Sequence, residues 1–200
     1  MEDLVSFVER KDGFSLQNEL GDICLVELAN QNVDDLDLDI FKQSCANEIT
    51  HLYLNGTQIS DEGLAKLASL HCLEKLNLGR TKISGTGFAN VKFTSLQNLY
   101  LRRCRKLTVD GLKQIVKCQN LEKLDLYESN IDDPFLQEIA KLPKLKTLWA
   151  DHTRLTNAGL PYLYGMTQLR SFTFKKTAIT RGGILQLRKH LPDLNKEFIM

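Results

Sequence analysis

The chain has 200 residues, of which 42% are hydrophobic and 26% are charged, which suits a folded protein with an apolar core and is too apolar for disorder. Its 26 basic residues nearly balance its 25 acidic ones. The resulting net charge of +1 provides no overall positive field, so we expect no nucleic-acid partner. The opening residues lack the pattern of a signal peptide, and no apolar run approaches the ~18 residues of a membrane span. We therefore expect no membrane association.

The cysteine pattern indicates reduced thiols. The chain has five cysteines, an odd number, and they form no CxxC pair. Free thiols in a cytoplasmic location fit this pattern better than a disulfide framework does. Histidines and cysteines also lack the spacing of metal ligands, so we expect neither a metal nor another cofactor. The cysteines are Cys24, Cys45, Cys72, Cys104 and Cys118.

From residue 23 onward the sequence repeats itself. Seven units begin at residues 23, 49, 73, 96, 121, 145 and 169, which lie 23 to 26 residues apart. The first half of each unit alternates apolar and polar residues, as in LEKLDL from residue 121, and this pattern predicts a strand. The second half spaces apolar residues three or four apart, which predicts a short helix with one buried side.

A strand followed by a short helix, repeated in register, predicts an α/β right-handed solenoid with a parallel concave sheet and helices on the convex face. We expect an N-terminal capping segment over residues 1–22, a repeat domain over 23–194 and a C-terminal tail or cap over 195–200. The apolar residues available to close the two ends are Leu4, Val5, Phe7 and Val8, and Leu191, Leu194, Phe198 and Ile199. Residues 198–200 are alternatively a motif for a partner.

The repeating unit resembles the leucine-rich repeat family, with its LxxLxLxx[TNC] signature, over about residues 23–194. The second halves look like the cysteine-containing subtype of F-box proteins and bacterial tandem arrays, and the unit from Leu96, with Cys104 and Cys118, matches it best. The resemblance implies two alternatives: a substrate-receptor or assembly subunit of a larger complex, or a bacterial effector secreted without a classical signal peptide. We see no F-box-like segment in this chain.

Three columns of residues recur for structural reasons. A capping residue precedes each helix in six units, at Ser60, Ser84, Thr108, Asp132, Thr156 and Thr180. Three residues later a glycine recurs, which suggests close approach to a neighbouring unit, at Gly63, Gly87, Gly111, Gly159 and Gly183. Before the cap stands a small polar residue suited to hydrogen-bonding the turning backbone, at Thr57, Thr81, Cys104, Ser129, Thr153 and Thr177.

The residues that point outward from the strands, and those in the turns after them, are the candidates for function. Three of the five tyrosines and the only tryptophan lie there, together with arginines, and these residue types are enriched at binding hot spots. The alternative is that the aromatic side chains stack on one another and stiffen the sheet. The candidate partner-binding residues are Tyr53, Lys75, Arg80, Tyr100, Arg102, Arg103, Asp125, Tyr127, Glu128, Trp149, Asp151, His152 and Lys175.

Charge on this face is segregated. A basic centre with Arg102 and Arg103 adjoins an acidic zone with Asp125, Glu128 and Asp151. Alternating charge suits a protein partner with complementary stripes and would oppose a phosphate chain. The alternative is that these groups pair within the face, as Arg102 with Asp125 or Tyr127 with neighbouring charges.

An enzymatic role is not expected. Asp151 and His152 resemble an orienting carboxylate and a base, and Cys104 or Ser129 could be imagined as a nucleophile. The last two belong to the buried turn column, however, and an open concave face would not exclude water. We therefore predict a monomeric, non-enzymatic protein that binds a protein or a peptide on its concave face.

Overall fold

The computed structural model describes residues 2–42 and 47–194. One eight-stranded sheet runs through the chain with the strands in sequence order. β1 pairs antiparallel with β2, and every later pair is parallel, which confirms the predicted solenoid. The strands are β1 (Phe14–Gln17), β2 (Ile23–Glu27), β3 (His51–Tyr53), β4 (Lys75–Asn77), β5 (Asn98–Tyr100), β6 (Lys123–Asp125), β7 (Thr147–Trp149) and β8 (Ser171–Thr173).

Short helices connect consecutive parallel strands, and one further helix lies at each end of the array. The α-helices are α1 (Leu4–Arg10), α2 (Asp61–Ala65), α3 (Val109–Ile115), α4 (Asp133–Ile139) and α5 (Arg181–His190). Within the described residues, three further connections are 3₁₀ helices, at Asp37–Lys42, Thr86–Asn90 and Asn157–Leu163. Pro161 lies inside the last of these. Proline has no N–H to donate, so it disfavours a regular α-helix there, a distinction that apolar spacing alone does not make.

Leucines at equivalent positions of the units form the core between sheet and helices. Leu76, Leu99, Leu124 and Leu148 are the central residues of β4 to β7, and all are fully buried and in register. Each is flanked by two residues that are at least partly exposed. This period of two separates a core side from an outer side of the sheet.

Small hydroxyl and thiol groups satisfy buried carbonyl oxygens where the chain leaves the sheet. The Thr81 hydroxyl donates to Leu78 O at 2.6 Å, and the Cys104 thiol contacts the same oxygen at 3.2 Å. The Ser129 hydroxyl donates to Leu101 O at 2.6 Å. The predicted hydrogen bonds of this column are therefore present, and they explain why small polar residues recur in an apolar environment.

Acidic or amide side chains at, or just before, the helix start of one unit accept hydrogen bonds from the backbone at the helix start of the next. Asp61 is an example, because its carboxylate accepts from Ser84 N, Gly85 N and Gly87 N at 2.9–3.0 Å. Asp35, Asp133 and Asn157 make equivalent contacts in their own units. The expected capping hydrogen bond of Asp132 is absent, and its Oδ1 is buried without a hydrogen-bond partner within the described residues.

The two ends of the array have different covers. At the start, Leu4, Phe7 and Val8 of α1 are buried against the core, and β1 adds an antiparallel strand that the apolar pattern did not predict. At the other end, Leu191 and Leu194 are buried. Phe198 and Ile199, which were expected to help there, lie outside the described residues.

The glycine column provides a stability test. A Cβ at Gly111 in α3 would overlap the carbonyl oxygen of Ser84 in the preceding unit, and it would lie 2.8 Å from Gly85 Cα. We expect Gly111→Ala to lower the free energy of unfolding by about 3 kcal/mol, because backbone rather than a flexible side chain must move. Urea denaturation followed by circular dichroism measures the change.

Gly182 in α5 is the matched control. The nearest atom to a Cβ there is Thr180 Oγ1 at 3.7 Å, so alanine fits without displacement. Gly182→Ala should leave stability unchanged or raise it by up to about 1 kcal/mol, because alanine has the higher helix propensity. Equal effects of the two substitutions would contradict the close approach at Gly111.

Candidate interaction surface

The thirteen candidate residues lie on the outer side of the sheet or in the turns that follow the strands. We call this side the outer sheet face and number its rows across the strands. Row one contains Lys75, and row two contains Tyr53, Tyr100, Asp125 and Trp149, all within strands. Row three comprises the second residue after each strand and includes Arg102, Tyr127, Asp151 and Lys175. Row four comprises the third residue and includes Arg80, Arg103, Glu128 and His152.

Row two alternates aromatic residues with hydrogen-bond acceptors. Every second strand contributes an acceptor whose side chain takes a hydrogen bond from the backbone N–H two residues later, at 2.9–3.1 Å. These acceptors are Glu27, Asn77 and Asp125, and the aromatic residues between and after them are Tyr53, Tyr100 and Trp149. The acceptors hold the turn backbone and leave room for the larger rings on either side.

The rings of row two interact across the intervening strands. Tyr100 and Trp149 stack with their centroids 6.3 Å apart and their planes 19° apart, on either side of Asp125 in the register. The Lys75 ammonium lies 5.2 Å from the Tyr53 ring centroid and 5.6 Å from that of Tyr100. Cation–π and stacking contacts thus connect the rings from β3 to β7.

A second series of contacts runs through the turns. The Arg102 guanidinium lies 3.9 Å from the centroid of the Tyr127 ring, which in turn lies 5.1 Å from the His152 ring. Arg102 remains exposed, and no ion pair joins it to Asp125 within the described residues. Of the pairings considered from the sequence, that of Tyr127 with a neighbouring charge forms, and that of Arg102 with Asp125 does not.

Arg103 and Glu128 neutralise each other. Arg103 Nε and Nη2 donate to the two Glu128 carboxylate oxygens at 2.6 and 3.0 Å. This paired hydrogen bond lowers the pKa of Glu128 to about 2 and raises that of Arg103. Both side chains therefore remain charged at neutral pH, and each is already engaged within the face.

Asp125 lies in an environment that is less favourable for a charged side chain than that of Glu128. Its carboxylate is half-buried between two ring-bearing strands, and burial raises its pKa above the usual value. The Tyr127 N–H and the charge of Arg102 oppose this shift only in part. Asp125 has no ion pair among residues 2–42 and 47–194. A charged Asp125 consequently disfavours the folded state at neutral pH.

The residues considered for catalysis are engaged elsewhere. Asp151 accepts from the Thr173 hydroxyl at 2.6 Å and from Lys175 N, and it forms no hydrogen bond with His152 in the described structure. Cys104 is fully buried, and desolvation raises its pKa to about 11. Ser129 donates its hydroxyl proton to a main-chain oxygen. The groups needed for a nucleophile and base are therefore not brought together.

An open depression of about 410 Å³ lies on the outer sheet face, and its lining residues come from units one to five. Gly79 stands in row three between Asn55 and Arg102, and its missing side chain leaves this space. The depression is lined by Asn30, Asn55, Asn77, Gly79, Arg80, Tyr100, Arg102 and Asp125. The three asparagines were not predicted as candidates, although their outward positions in successive units could have indicated them.

Row four has an unusual backbone. Its residue adopts a left-handed conformation in every unit, with φ between 51° and 75°. Only unit two uses glycine there, and the others are Asn30, Arg80, Arg103, Glu128, His152 and Lys176. A side chain in this conformation costs about 1 kcal/mol relative to glycine. The charged side chains of row four are therefore retained at some expense to folding.

Comparisons with known proteins agree with this architecture. A family model described as "Leucine Rich repeat" matches residues 47–68. Podocan-like protein 1 of Homo sapiens is 30% identical over 132 residues, which cover 64% of this chain and 25% of that protein. Its counterpart in Mus musculus is 29% identical over 129 residues, 63% of this chain and 22% of that protein. This chain thus spans about a quarter of the length of the curated relatives it matches.

Solved structures show the same fold. An internalin C2 from Listeria monocytogenes matches with a TM-score of 0.69 at 20% identity, over 86% of this chain and 69% of that one. An internalin F from the same organism matches with a TM-score of 0.57 at 19% identity, over 88% and 63%. The repeating sequence, the sheet and these similarities define the class. The chain has the leucine-rich repeat fold.

Asp125 yields a prediction about pH and stability. A carboxyl group with a raised pKa binds more protons in the folded state, so stability falls as pH rises from about 4 through the raised value. Asp125→Asn should therefore be more stable than the parent protein at pH 7, and the difference should shrink towards pH 3. Urea denaturation at both pH values measures this, and a less stable variant at pH 7 would contradict it.

Asp110→Asn is the control for loss of a negative charge. Asp110 is exposed and pairs with Lys113 at 2.8 Å on α3. Removing an exposed ion pair changes stability by about 0–1 kcal/mol and gives no gain at neutral pH. The two variants should therefore differ in sign at pH 7.

Proposed function

We propose that this chain is a non-enzymatic protein-interaction module that binds a protein, or an exposed peptide segment, on the concave outer sheet face. The observation that carries the proposal is the row of partly exposed rings of Tyr53, Tyr100 and Trp149, with Tyr127 beside it under Arg102. Rings held by stacking and cation–π contacts are ordered before binding, so they lose little conformational entropy when a partner covers them.

Self-packing accounts for only part of this arrangement. Stacking explains why the rings are ordered, and the hydrogen bond from Tyr127 N explains an acceptor at Asp125. Neither explains why this acceptor is charged, since the neutral Asn77 fills the same role in unit three. Asp125 disfavours folding at neutral pH, and Arg80 and Arg102 remain exposed on the same depression. A charged group that does not stabilise the fold is expected at a binding site, because a partner there supplies the interactions that the group lacks in the free protein. A basic partner group would stabilise Asp125, and an acidic one would face Arg80 and Arg102.

The internal pairs assign different roles to the candidate residues. Trp149, Tyr100, Tyr127 and Tyr53 would be the anchors. Arg103 and Glu128, which already bind each other, would orient the turn and steer approach rather than contribute much affinity. Lys75 holds two of the tyrosines, and its loss would act through them.

Three features support a non-catalytic role. The buried Cys104 thiol has a high pKa, the Asp151 carboxylate is engaged by Thr173 and Lys175, and the face is open.

The state of the cysteines supports a reducing compartment. The described cysteines, Cys24, Cys72, Cys104 and Cys118, are free thiols, which suits the cytoplasm. In the described part of the chain no helix is both long and apolar enough to cross a bilayer. We propose that the chain acts as a monomer on its own.

Trp149→Ala and Tyr127→Ala test the proposed surface. Each removes an aromatic anchor from the outer sheet face. Each should therefore weaken the binding of a partner identified by affinity capture by about 2 kcal/mol or more. Isothermal titration of purified partner with the parent protein and with each variant measures the change.

Tyr162→Ala is the matched control, because Tyr162 is an exposed tyrosine of the 3₁₀ helix Asn157–Leu163 on the opposite side of the sheet. It should change affinity by less than about 0.5 kcal/mol. If the two outer-face variants lose thermal stability while affinity stays at the parental value, the rings serve only to stiffen the sheet.

A further inference from the structure

A second depression, of about 400 Å³, lies between the turn after β4 and the turn after β5. Thr81 and five basic side chains line it, and we call this group the basic rim. The basic side chains are Arg80, Lys82, Arg103, Arg105 and Lys106. Lys82, Arg105 and Lys106 belong to neither the sheet rows nor the core, and the interaction surface above does not use them.

The positive charge of the basic rim is largely uncompensated. Arg103 is paired with Glu128, but none of the other four cations has an ion pair among residues 2–42 and 47–194. This concentration occurs in a chain whose net charge is only +1. Arg80 also has a left-handed backbone with φ of 58°, at the position where unit two has Gly56. Like charges gathered on two adjacent turns repel one another and do not stabilise the fold.

The turns that carry these cations are firmly held. Arg80 N donates to Arg102 O at 2.7 Å, and Lys82 N donates to Ile59 O at 3.0 Å. Beneath them the Thr81 hydroxyl and the Cys104 thiol bind the same buried carbonyl oxygen of Leu78. The backbone that carries the cationic side chains is therefore fixed before any ligand binds, and this lowers the conformational entropy lost on binding.

The extent of the basic rim decides what kind of anion it suits. Adjacent strands are about 4.8 Å apart, so two turns span only about 10 Å. The preceding turn supplies the uncharged Gly56 and Gln58, and the following one supplies Glu128, Asn130 and Asp132. A long polyanion that followed the turns would leave the cations and meet these carboxylates. A compact dianion would contact the cations without reaching these carboxylates.

We propose that the basic rim binds a phosphorylated serine or threonine side chain of a protein partner. A phosphomonoester carries nearly two negative charges in a small volume, and arginine guanidinium groups match its oxygen atoms with paired hydrogen bonds. Arg80 and Arg105, with Lys82 and Lys106, supply this chemistry at one edge of the sheet, beside the Arg103–Glu128 pair. A partner segment could then bind the rim through its phosphate and the outer sheet face through its other side chains. The rim does not contain Trp149, so this inference stands independently of the aromatic anchors.

Peptide titration tests the proposal directly. The probes are a fluorescein-labelled Gly-Gly-phosphoserine-Gly-Gly peptide and its serine counterpart, each titrated with the full chain at low ionic strength and followed by fluorescence polarisation. We expect the phosphopeptide to bind at least tenfold more tightly than the serine peptide. The double variant Arg105→Gln/Lys106→Gln should weaken phosphopeptide binding at least tenfold. Trp149→Ala should leave it within twofold of the parent protein, which distinguishes this site from the outer sheet face.

The control variant is Lys113→Gln/Lys117→Gln, which removes the same charge from α3 and the residues just after it in the same unit. It should alter phosphopeptide affinity less than twofold. Equal losses in the two double variants would overturn the proposal in favour of non-specific charge attraction. Equal binding of the two peptides would overturn it by showing that the phosphate is not recognised. Tighter binding to a 20-base-pair RNA duplex or to phosphatidylserine vesicles, lost in the Arg105/Lys106 variant, would overturn it in favour of a nucleic acid or a lipid surface.

Discussion

One backbone hydrogen bond between units sets the geometry on which the rest of this protein depends. Beyond β2 to β7, the N–H of the left-handed row-four residue donates to the row-three carbonyl oxygen of the next unit. Gly56, Arg80, Arg103 and His152 make this bond at 2.7–2.8 Å. It continues the parallel ladder into the turn, so successive units cannot slip relative to each other. Side chains from equivalent positions consequently form straight rows across the sheet.

The rows bring side chains of separate units into contact on both sides of the sheet. The residues of the core side stabilise the fold, whereas some residues of the outer side lower its stability. The core side of the sheet is filled by equivalent leucines whose burial stabilises every unit in the same way. The outer side varies from unit to unit and includes choices that cost stability, such as the half-buried Asp125 and the left-handed Arg80. Repetition of the core leaves the outer rows free to vary, because a substitution there disturbs only neighbouring units.

Much of this arrangement follows from local pattern. The period of two locates the strands and separates Leu148 from Trp149, and the glycine column correctly indicates a close approach at Gly111. Where local pattern failed, a contact between distant residues decided the outcome. β1 exists because it pairs with β2, and Arg102 lies over Tyr127 rather than pairing with Asp125. No spacing rule contains such information, since it depends on side-chain direction after the units have stacked.

By itself, then, the sequence determined the repeat, the buried leucines and which residues face outward, because each of these depends on spacing along a single unit. The tertiary structure alone decided how the outward residues combine. Stacking at the inter-strand spacing places the Lys75 ammonium between two tyrosine rings and gathers five cations from two turns around one depression. Neighbours in these groups lie about one or two units apart in the sequence, and only the register between strands makes them neighbours.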